Sequence, residues 1–178
     1  MKKILLVSFL ALLFSGCFPT TEITLRTEPV VEDDEFEKNA TIKGVEKPIE
    51  GSKYKNYLLR SWVSKDSGKV TNQLYVSYNY TSSDWRFYRN AKDENADVLD
   101  FIEIDRDVNC SGSMYSSQCT YFETFGITIP TEKLRDNKEG YRVKISAKSG
   151  DDLIISITSD QIRKQLEAIR SYKQAHNL

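Results

Sequence analysis

The chain has 178 residues, with 25 Lys and Arg against 26 Asp and Glu, a formal net charge of −1 and a single histidine. This near-neutral balance, without a basic stripe interleaved with aromatic residues, argues against a nucleic-acid partner. The histidine, His176, lies close to the C-terminus, so we expect neither a Ser-His nor a Cys-His catalytic site.

The chain opens with a short apolar segment behind two lysines. Residues 4–13 contain one polar side chain, Ser8, which is the pattern of a signal peptide. The segment is too short for a transmembrane helix, which needs about 20 apolar residues. The sequence therefore predicts that residues 1–16 are cleaved as a signal peptide.

The cleavage point is marked by the segment FSGC, residues 14–17. This segment resembles the lipobox of bacterial lipoproteins, in which the cysteine is acylated and becomes the N-terminus. By this resemblance Cys17 is the lipid anchor, and several acyl chains hold a protein on a membrane essentially permanently. Because Phe18, and not aspartate, follows the cysteine, the resemblance implies the outer membrane, with the domain in the periplasm. The alternative is an ordinary secretory signal with a free Cys17.

The next segment is acidic and poor in large apolar residues. Residues 18–50 carry nine acids, including the run EDDEFE, against four bases. Such a composition favours a flexible chain. We therefore predict a lipidated N-terminus and an acidic flexible linker over residues 17–50, although the acidic run could instead bind a basic partner.

Residues 51–178 contain both tryptophans and all ten tyrosines, and this length supports one core without a cofactor. Period-two alternation predicts strands in the segments NYLLRSWV, QLYVSYNY, DWRFY, VLDFIEIDRDV, YFETFGITI, YRVKISA and DLIISI. Segments such as KDSGKV and TEKLRDNKEG are predicted turns. The fold class is therefore mainly β, an antiparallel β-sandwich of about seven strands with one C-terminal α-helix, and imperfect alternation predicts a bulge near Phe101.

The helix is predicted over residues 159–175. Thr158 can act as the N-cap and Gln161 as its capping-box partner. An apolar stripe at helical spacing comprises Ile162, Leu166, Ile169 and Tyr172. We expect this stripe to cover the sheet of the same domain; docking on a partner is the alternative.

Two cysteines remain once Cys17 is assigned to the anchor. Cys110 and Cys119 flank the polar segment SGSMYSSQ, and in an oxidising compartment we expect them to form a disulfide across a β-hairpin. Met114 and Tyr115 lie in this segment and are a candidate partner-binding tip. The alternative, which we favour, is that they fold back onto the sandwich.

The acids of EIDRD are the candidate for chemistry. Glu103, Asp105 and Asp107 alternate along a predicted strand and are expected on one face, where they could hold calcium or supply a glycosidase pair. Alternate acids also mark the solvated face of a strand, which is the interpretation we favour. We expect neither a resident metal nor a cofactor.

Aromatic side chains are the other candidate for binding. The residues considered are Trp62, Trp85, Tyr75, Tyr88 and Tyr115. Exposed rings on a sheet can stack against sugars or present a surface to a protein partner. A sandwich also uses such rings to fill its layers, so both interpretations stay open.

These observations predict a non-enzymatic lipoprotein whose domain serves binding or envelope assembly, with an envelope protein as partner. One alternative is an accessory lipoprotein of a secretion machine, which rests on architecture alone. The other is a glycan- or peptidoglycan-binding protein or hydrolase that uses the face of Glu103, Asp105 and Asp107.

Overall fold

The computed structural model describes residues 24–113 and 116–178, in which two antiparallel sheets pack face to face. The strands, in chain order, are β1 (Val30–Glu32), β2 (Asn39–Lys43), β3 (Lys47–Ile49), β4 (Ser52–Ser64), β5 (Val70–Ser82), β6 (Tyr88–Asp93), β7 (Val98–Leu99), β8 (Phe101–Ser113), β9 (Ser116–Ile129), β10 (Gly140–Ala147) and β11 (Leu153–Thr158). The helices are α1 (Thr131–Asp136) and α2 (Ser159–Ala175). The predicted mainly β, sandwich-like fold with a C-terminal helix is confirmed.

The larger sheet has the strand order β1-β2-β4-β5-β9-β8, with β3 also paired to β4. The smaller sheet has the order β11-β10-β6-β7. Helix α2 contacts β11 of the smaller sheet as well as β2 and β4 of the larger sheet. It therefore extends the second layer over the part of the large sheet that the four short strands leave uncovered.

The core lies between the two sheets and follows the predicted alternation. On β5 and β9 the inward residues are buried: Leu74, Val76, Tyr78, Tyr80, Tyr121, Phe125, Ile127 and Ile129. Their neighbours Tyr75 and Ser77 are half-buried on the other face. One inward position of β9 holds an acid, Glu123, which is also buried. The outer face of the large sheet is thus separate from the core and faces away from it.

Helix α2 begins as predicted. The Thr158 hydroxyl accepts from the backbone N–H of Gln161, and the Gln161 side chain accepts from the backbone N–H of Thr158. Three residues of the predicted stripe are buried against the domain: Ile162, Ile169 and Tyr172. Gln165 is buried beside them and donates to the Ile42 carbonyl at 3.1 Å and to the Ser61 hydroxyl at 2.8 Å. The stripe therefore covers the domain's own sheet.

The prediction of a flexible linker over residues 17–50 is wrong for its C-terminal part. Strands β1 to β3 all lie within this segment, and β2 pairs with β4 from Asn39↔Ser64 to Lys43↔Arg60. Ala40 and Ile42 are fully buried. A few small apolar residues suffice here because β4 offers an edge with free backbone groups, which these strands satisfy. The folded unit therefore begins well before residue 51.

Two predicted strands also differ from the structure. The segment VLDFIEIDRDV is split, because Leu99 ends β7 in the small sheet and Phe101 begins β8 in the large sheet. The expected bulge near Phe101 is found at Ile104, where the register shifts between Glu103 and Asp105. In DWRFY the strand begins only at Tyr88.

The reason for this late start is the backbone of Phe87, which has a φ of 53°. A bulky residue in this left-handed region is uncommon and interrupts a strand. The turn predicted for TEKLRDNKEG contains the short helix α1. In the described part of the chain, no helix is long and apolar enough to cross a membrane.

Candidate functional site

The three candidate acids do not form one site. Opposed residues of an antiparallel ladder share a face, and Glu103 opposes Phe125 whereas Asp105 opposes the next residue, Thr124. The bulge at Ile104 therefore places Glu103 on the inner face and the other two acids on the outer face. Among the residues that the structure describes, no three His, Cys, Asp or Glu side chains come together to hold a metal.

Glu103 also has a local role that explains its charge. It forms an ion pair of 2.7 Å with Arg106, which in turn contacts the buried Glu123 at 3.3 Å. The expectation that Glu103, Asp105 and Asp107 share one strand face is thus wrong for Glu103, and these three acids do not form a calcium cluster.

The cysteine prediction has a clear outcome for one pair. Cys110 and Cys119 form a disulfide with a Cα–Cα distance of 4.1 Å, and they are directly opposed on β8 and β9. The candidate tip residues Met114 and Tyr115 lie outside the described residues, as does the predicted anchor Cys17. The disulfide is therefore part of the paired strands, which continue beyond it to Ser113↔Ser116.

The aromatic candidates divide between core and surface. Tyr88 is fully buried, and Trp85 packs against Tyr121 with ring centroids 4.8 Å apart. These two rings fill the sandwich, as expected of core aromatics. Trp62 and Tyr75 lie on the outer face of the large sheet, where both are half-buried. Tyr115 lies outside the described part of the chain.

The two outer rings flank one cation. The guanidinium carbon of Arg60 lies 4.8 Å from the ring centroid of Trp62 and 4.4 Å from that of Tyr75. Arg60 and Trp62 are two residues apart on β4 and hence share a face, while Tyr75 reaches them from β5. Each contact is a cation–π interaction, which holds the guanidinium plane between two rigid side chains.

Gln73 fixes the direction of this guanidinium. It opposes Arg60 on β5, is almost fully buried, and accepts a hydrogen bond of 2.8 Å from Nε of Arg60. Room for Gln73 comes from Gly126 on β9, because a Cβ atom there would lie 2.1 Å from the Gln73 side chain. With Nε engaged, the two Nη groups of Arg60 are the donors that remain for a ligand.

A shallow pocket of about 240 Å³ opens beside Arg60. Its lining comprises Arg26, Lys43, Glu46, Leu58, Arg60 and Tyr75. We call the five residues Arg26, Lys43, Arg60, Trp62 and Tyr75 the cationic-aromatic patch. Within the described residues Arg60 forms no ion pair, whereas Arg26 pairs with Glu46 at 3.3 Å and Lys43 with Glu32 at 2.7 Å.

Burial lowers the pKa of Arg60 from its ordinary value, an effect that the nearby Tyr75 opposes. The guanidinium nevertheless stays charged, because an arginine pKa lies far above neutrality. A half-buried cation without a carboxylate partner has lost water without gaining an anion. The patch can therefore bind an anionic group through planar, two-pronged hydrogen bonding from the guanidinium.

The patch was only partly visible in the sequence. Trp62 and Tyr75 are among the aromatic residues that the sequence offers as candidates, whereas Arg60, Gln73 and Gly126 are not among its candidate residues. The alternation of arginine and tryptophan in LLRSWV places two of these residues on one face. That Lys43 opposes Arg60 follows from the register of β2, a strand that composition alone did not predict.

A second concave surface runs along α2. It is a groove of about 760 Å³ whose lining includes Lys138, Asp160, Arg163, Leu166 and Glu167. Here Arg163 pairs with Asp160 at 2.6 Å and with Glu167 at 3.4 Å, and the other bases of the lining, Lys138 and Arg170, are exposed to solvent. The groove lining thus contains no half-buried cation without an ion pair such as Arg60, and the patch is the stronger candidate.

Comparison with known proteins adds no further constraint on the site. No family model, no curated protein and no solved structure matches this chain.

Proposed function

We propose that this chain is an acyl-anchored lipoprotein of the outer membrane whose β-sandwich is a non-enzymatic binding or envelope-assembly module. The anchor is Cys17, and the sandwich lies in the periplasm. Support comes from the signal-peptide pattern and the lipobox resemblance of residues 14–17. The Cys110–Cys119 disulfide is consistent with an oxidising compartment.

The observation that carries the binding function is the guanidinium of Arg60, which is held between Trp62 and Tyr75 and forms no ion pair with any residue that the structure describes. An arrangement of this kind costs desolvation of the cation, and a bound anion offsets that cost. We therefore assign ligand binding to the cationic-aromatic patch, with an anionic group as the feature that it recognises.

Sugar stacking is less well supported by this geometry. Carbohydrate binding on aromatic rings uses a free ring face. Here one face of Trp62 and one of Tyr75 already contact the guanidinium of Arg60. The ligand is therefore expected to meet the guanidinium edge and the rims of the rings.

Two measurements in cells test this proposal. Mass spectrometry of the mature protein should find a diacylglyceryl group on Cys17, and Cys17→Ala should abolish both acylation and cleavage at this site. A photo-crosslinking residue at position 71 should give an adduct with the molecule bound at the cationic-aromatic patch, because Thr71 is exposed beside Trp62 on the neighbouring strand. The matched position is Ile154, which is 53% exposed on the outer face of the small sheet and should give none.

An unmodified mature N-terminus would contradict the anchor. Equal crosslinking from positions 71 and 154 would contradict the assignment of binding to the patch. Mass spectrometry tests the acylation of Cys17 and crosslinking tests binding at the patch, so either prediction can fail while the other holds.

A further inference from the structure

The patch contains two basic residues at opposed positions of neighbouring strands. Lys43 on β2 and Arg60 on β4 are opposed residues of the ladder, and Arg26 lines the same pocket. Like charges opposed across a ladder repel each other. Lys43 pairs with Glu32 at 2.7 Å, and Arg26 pairs with Glu46, the acid in the pocket lining. Of these three cations, Arg60 is therefore the one without an ion pair among the described residues, and the pocket has room for one more anion beside it.

The chain's path places this pocket close to the predicted anchor. Arg26 follows Cys17 by nine positions, and nine extended residues span at most about 30 Å. Arg26 is held in place by two hydrogen bonds with Glu46: its backbone N–H donates to the carboxylate at 3.1 Å, and its carbonyl accepts from the Glu46 N–H at 2.8 Å. With Cys17 in a bilayer, the pocket cannot be farther from that bilayer than this span.

The two ends of β2 lie next to charges of opposite sign. Lys43 ends β2 at the pocket, while the acidic segment of residues 33–37 precedes the other end of the strand. The first and last of its five residues are about 14 Å apart, at a rise of about 3.4 Å per residue. The cationic end of β2 is thus the end at the pocket, and the acidic segment lies at the opposite end.

We propose that the cationic-aromatic patch binds the phosphate of an anionic phospholipid headgroup in the membrane that holds the anchor. This inference rests on the proposed function, because the tether argument uses Cys17 as the anchor. The guanidinium of Arg60 matches phosphate oxygens through its Nη groups. Trp62 and Tyr75 are the residue types that favour the headgroup region, where one part of the ring is wet and another apolar.

Vesicle binding of the acyl-free chain tests this inference. The mature chain from residue 17, carrying Cys17→Ser, is mixed with vesicles of phosphatidylcholine alone and with vesicles in which about a third of the lipid is phosphatidylglycerol. We expect co-sedimentation only with the anionic vesicles. Arg60→Gln should weaken this binding about fivefold, the effect of one cation near an anionic surface.

The matched control is Arg142→Gln, which removes the same charge from an exposed position on the outer face of the small sheet. We expect it to leave vesicle binding unchanged. Inorganic phosphate, at the concentration of lipid phosphate in the vesicles, should not compete. Arg60→Lys should recover only part of the binding, because an ammonium lacks the planar fork of a guanidinium.

Three outcomes would overturn the inference. The first is absence of binding to the anionic vesicles, and the second is an equal effect of Arg60→Gln and Arg142→Gln, which indicates diffuse charge attraction. The third is competition by inorganic phosphate at equal concentration, which indicates a site for a free anion. Because the tested chain has no acyl group, each outcome is distinct from a failure of Cys17 acylation, which mass spectrometry reports separately.

Discussion

Glu123 is an acid at an inward position of β9, where the neighbouring inward residues are apolar. Its carboxylate is buried and accepts from the hydroxyl of Tyr80 at 2.5 Å and from the backbone N–H groups of Phe87 and Tyr88 at 3.2 and 3.1 Å. Arg106 provides a counter-charge at 3.3 Å. One carboxylate thus ties the irregular segment before β6 to the large sheet.

We predict that Glu123→Gln lowers the free energy of unfolding by about 2–4 kcal/mol. An amide has one accepting oxygen where the carboxylate has two, and it leaves Arg106 without its buried counter-charge. Chemical denaturation measures this change. Glu103→Gln is the control, since it also faces Arg106 but is 53% exposed, and it should cost less than about 1 kcal/mol. Equal effects of the two variants would contradict the role assigned to Glu123.

Gly126 is a second position where the addition of one atom, a Cβ, would change the structure around Arg60. A Cβ atom there would displace the end of the Gln73 side chain, which is flexible, and so release Arg60 from its hydrogen bond. We predict that Gly126→Ala weakens binding to anionic vesicles nearly as much as Arg60→Gln does, while stability changes by less than about 1 kcal/mol. Thr124→Ala, on the same strand and face, should change neither quantity.

A wild-type vesicle affinity for Gly126→Ala would contradict the positioning of Arg60 by Gln73. At the scale of single residues, the alternation of the sequence predicts the face that the core residues of β5 and β9 share, such as Leu74 and Phe125. It could not predict that Gln73 is buried on the outer face, because that depends on the absence of a side chain at Gly126, one strand away.

Among the secondary structure elements, α2 was the most predictable and β8 the least. The capping box of α2 is local, since Thr158 and Gln161 bond within one turn. The strand β8 depends on its partner, because the bulge at Ile104 is defined only by the register with β9. Local chemistry is readable from sequence, and register between strands is not.

The hairpin of β8 and β9 is the element that the disulfide closes. Cys110 and Cys119 are directly opposed, with a sequence separation of 9. In the chain-entropy account, closing so short a loop stabilises the fold by about 2–3 kcal/mol. We predict that replacing both cysteines with Ala lowers the free energy of unfolding by this amount, as measured by denaturation.

Treatment of the wild-type protein with a thiol reductant should give the same loss, whereas the double variant should no longer respond to reductant. A reductant-sensitive stability in the double variant would show that the measured effect comes from elsewhere in the chain.

For the whole molecule, the boundary of the folded unit is the main correction to the sequence prediction. Composition assigned residues 17–50 to a linker because acids dominate and large apolar residues are few. The structure shows that this segment adds strands to the edge of β4 and gives α2 its partners, since Gln161 donates to the Val45 carbonyl at 3.0 Å and Gln165 to that of Ile42 at 3.1 Å. Such pairing depends on contacts far apart in the chain.

We predict that a chain starting at residue 24 unfolds in one cooperative transition, and that a chain starting at residue 51 does not. The shorter chain exposes the edge of β4 and removes the carbonyl groups of Val45 and Ile42, which accept from the two buried glutamines of α2. Thermal unfolding followed by circular dichroism distinguishes the two. A cooperative transition of the shorter chain at the same temperature would restore the boundary predicted at residue 51.

The short span between anchor and patch makes the orientation of the molecule on the membrane the central claim. The measurement that tests it most directly is quenching of a fluorophore by lipids with a nitroxide headgroup, using the acylated protein labelled at Thr71→Cys or at Ile154→Cys. The account predicts strong quenching at position 71, beside Trp62 on the outer face of the large sheet, and little at position 154 on the small sheet. Equal quenching at both positions, or stronger quenching at position 154, would contradict it.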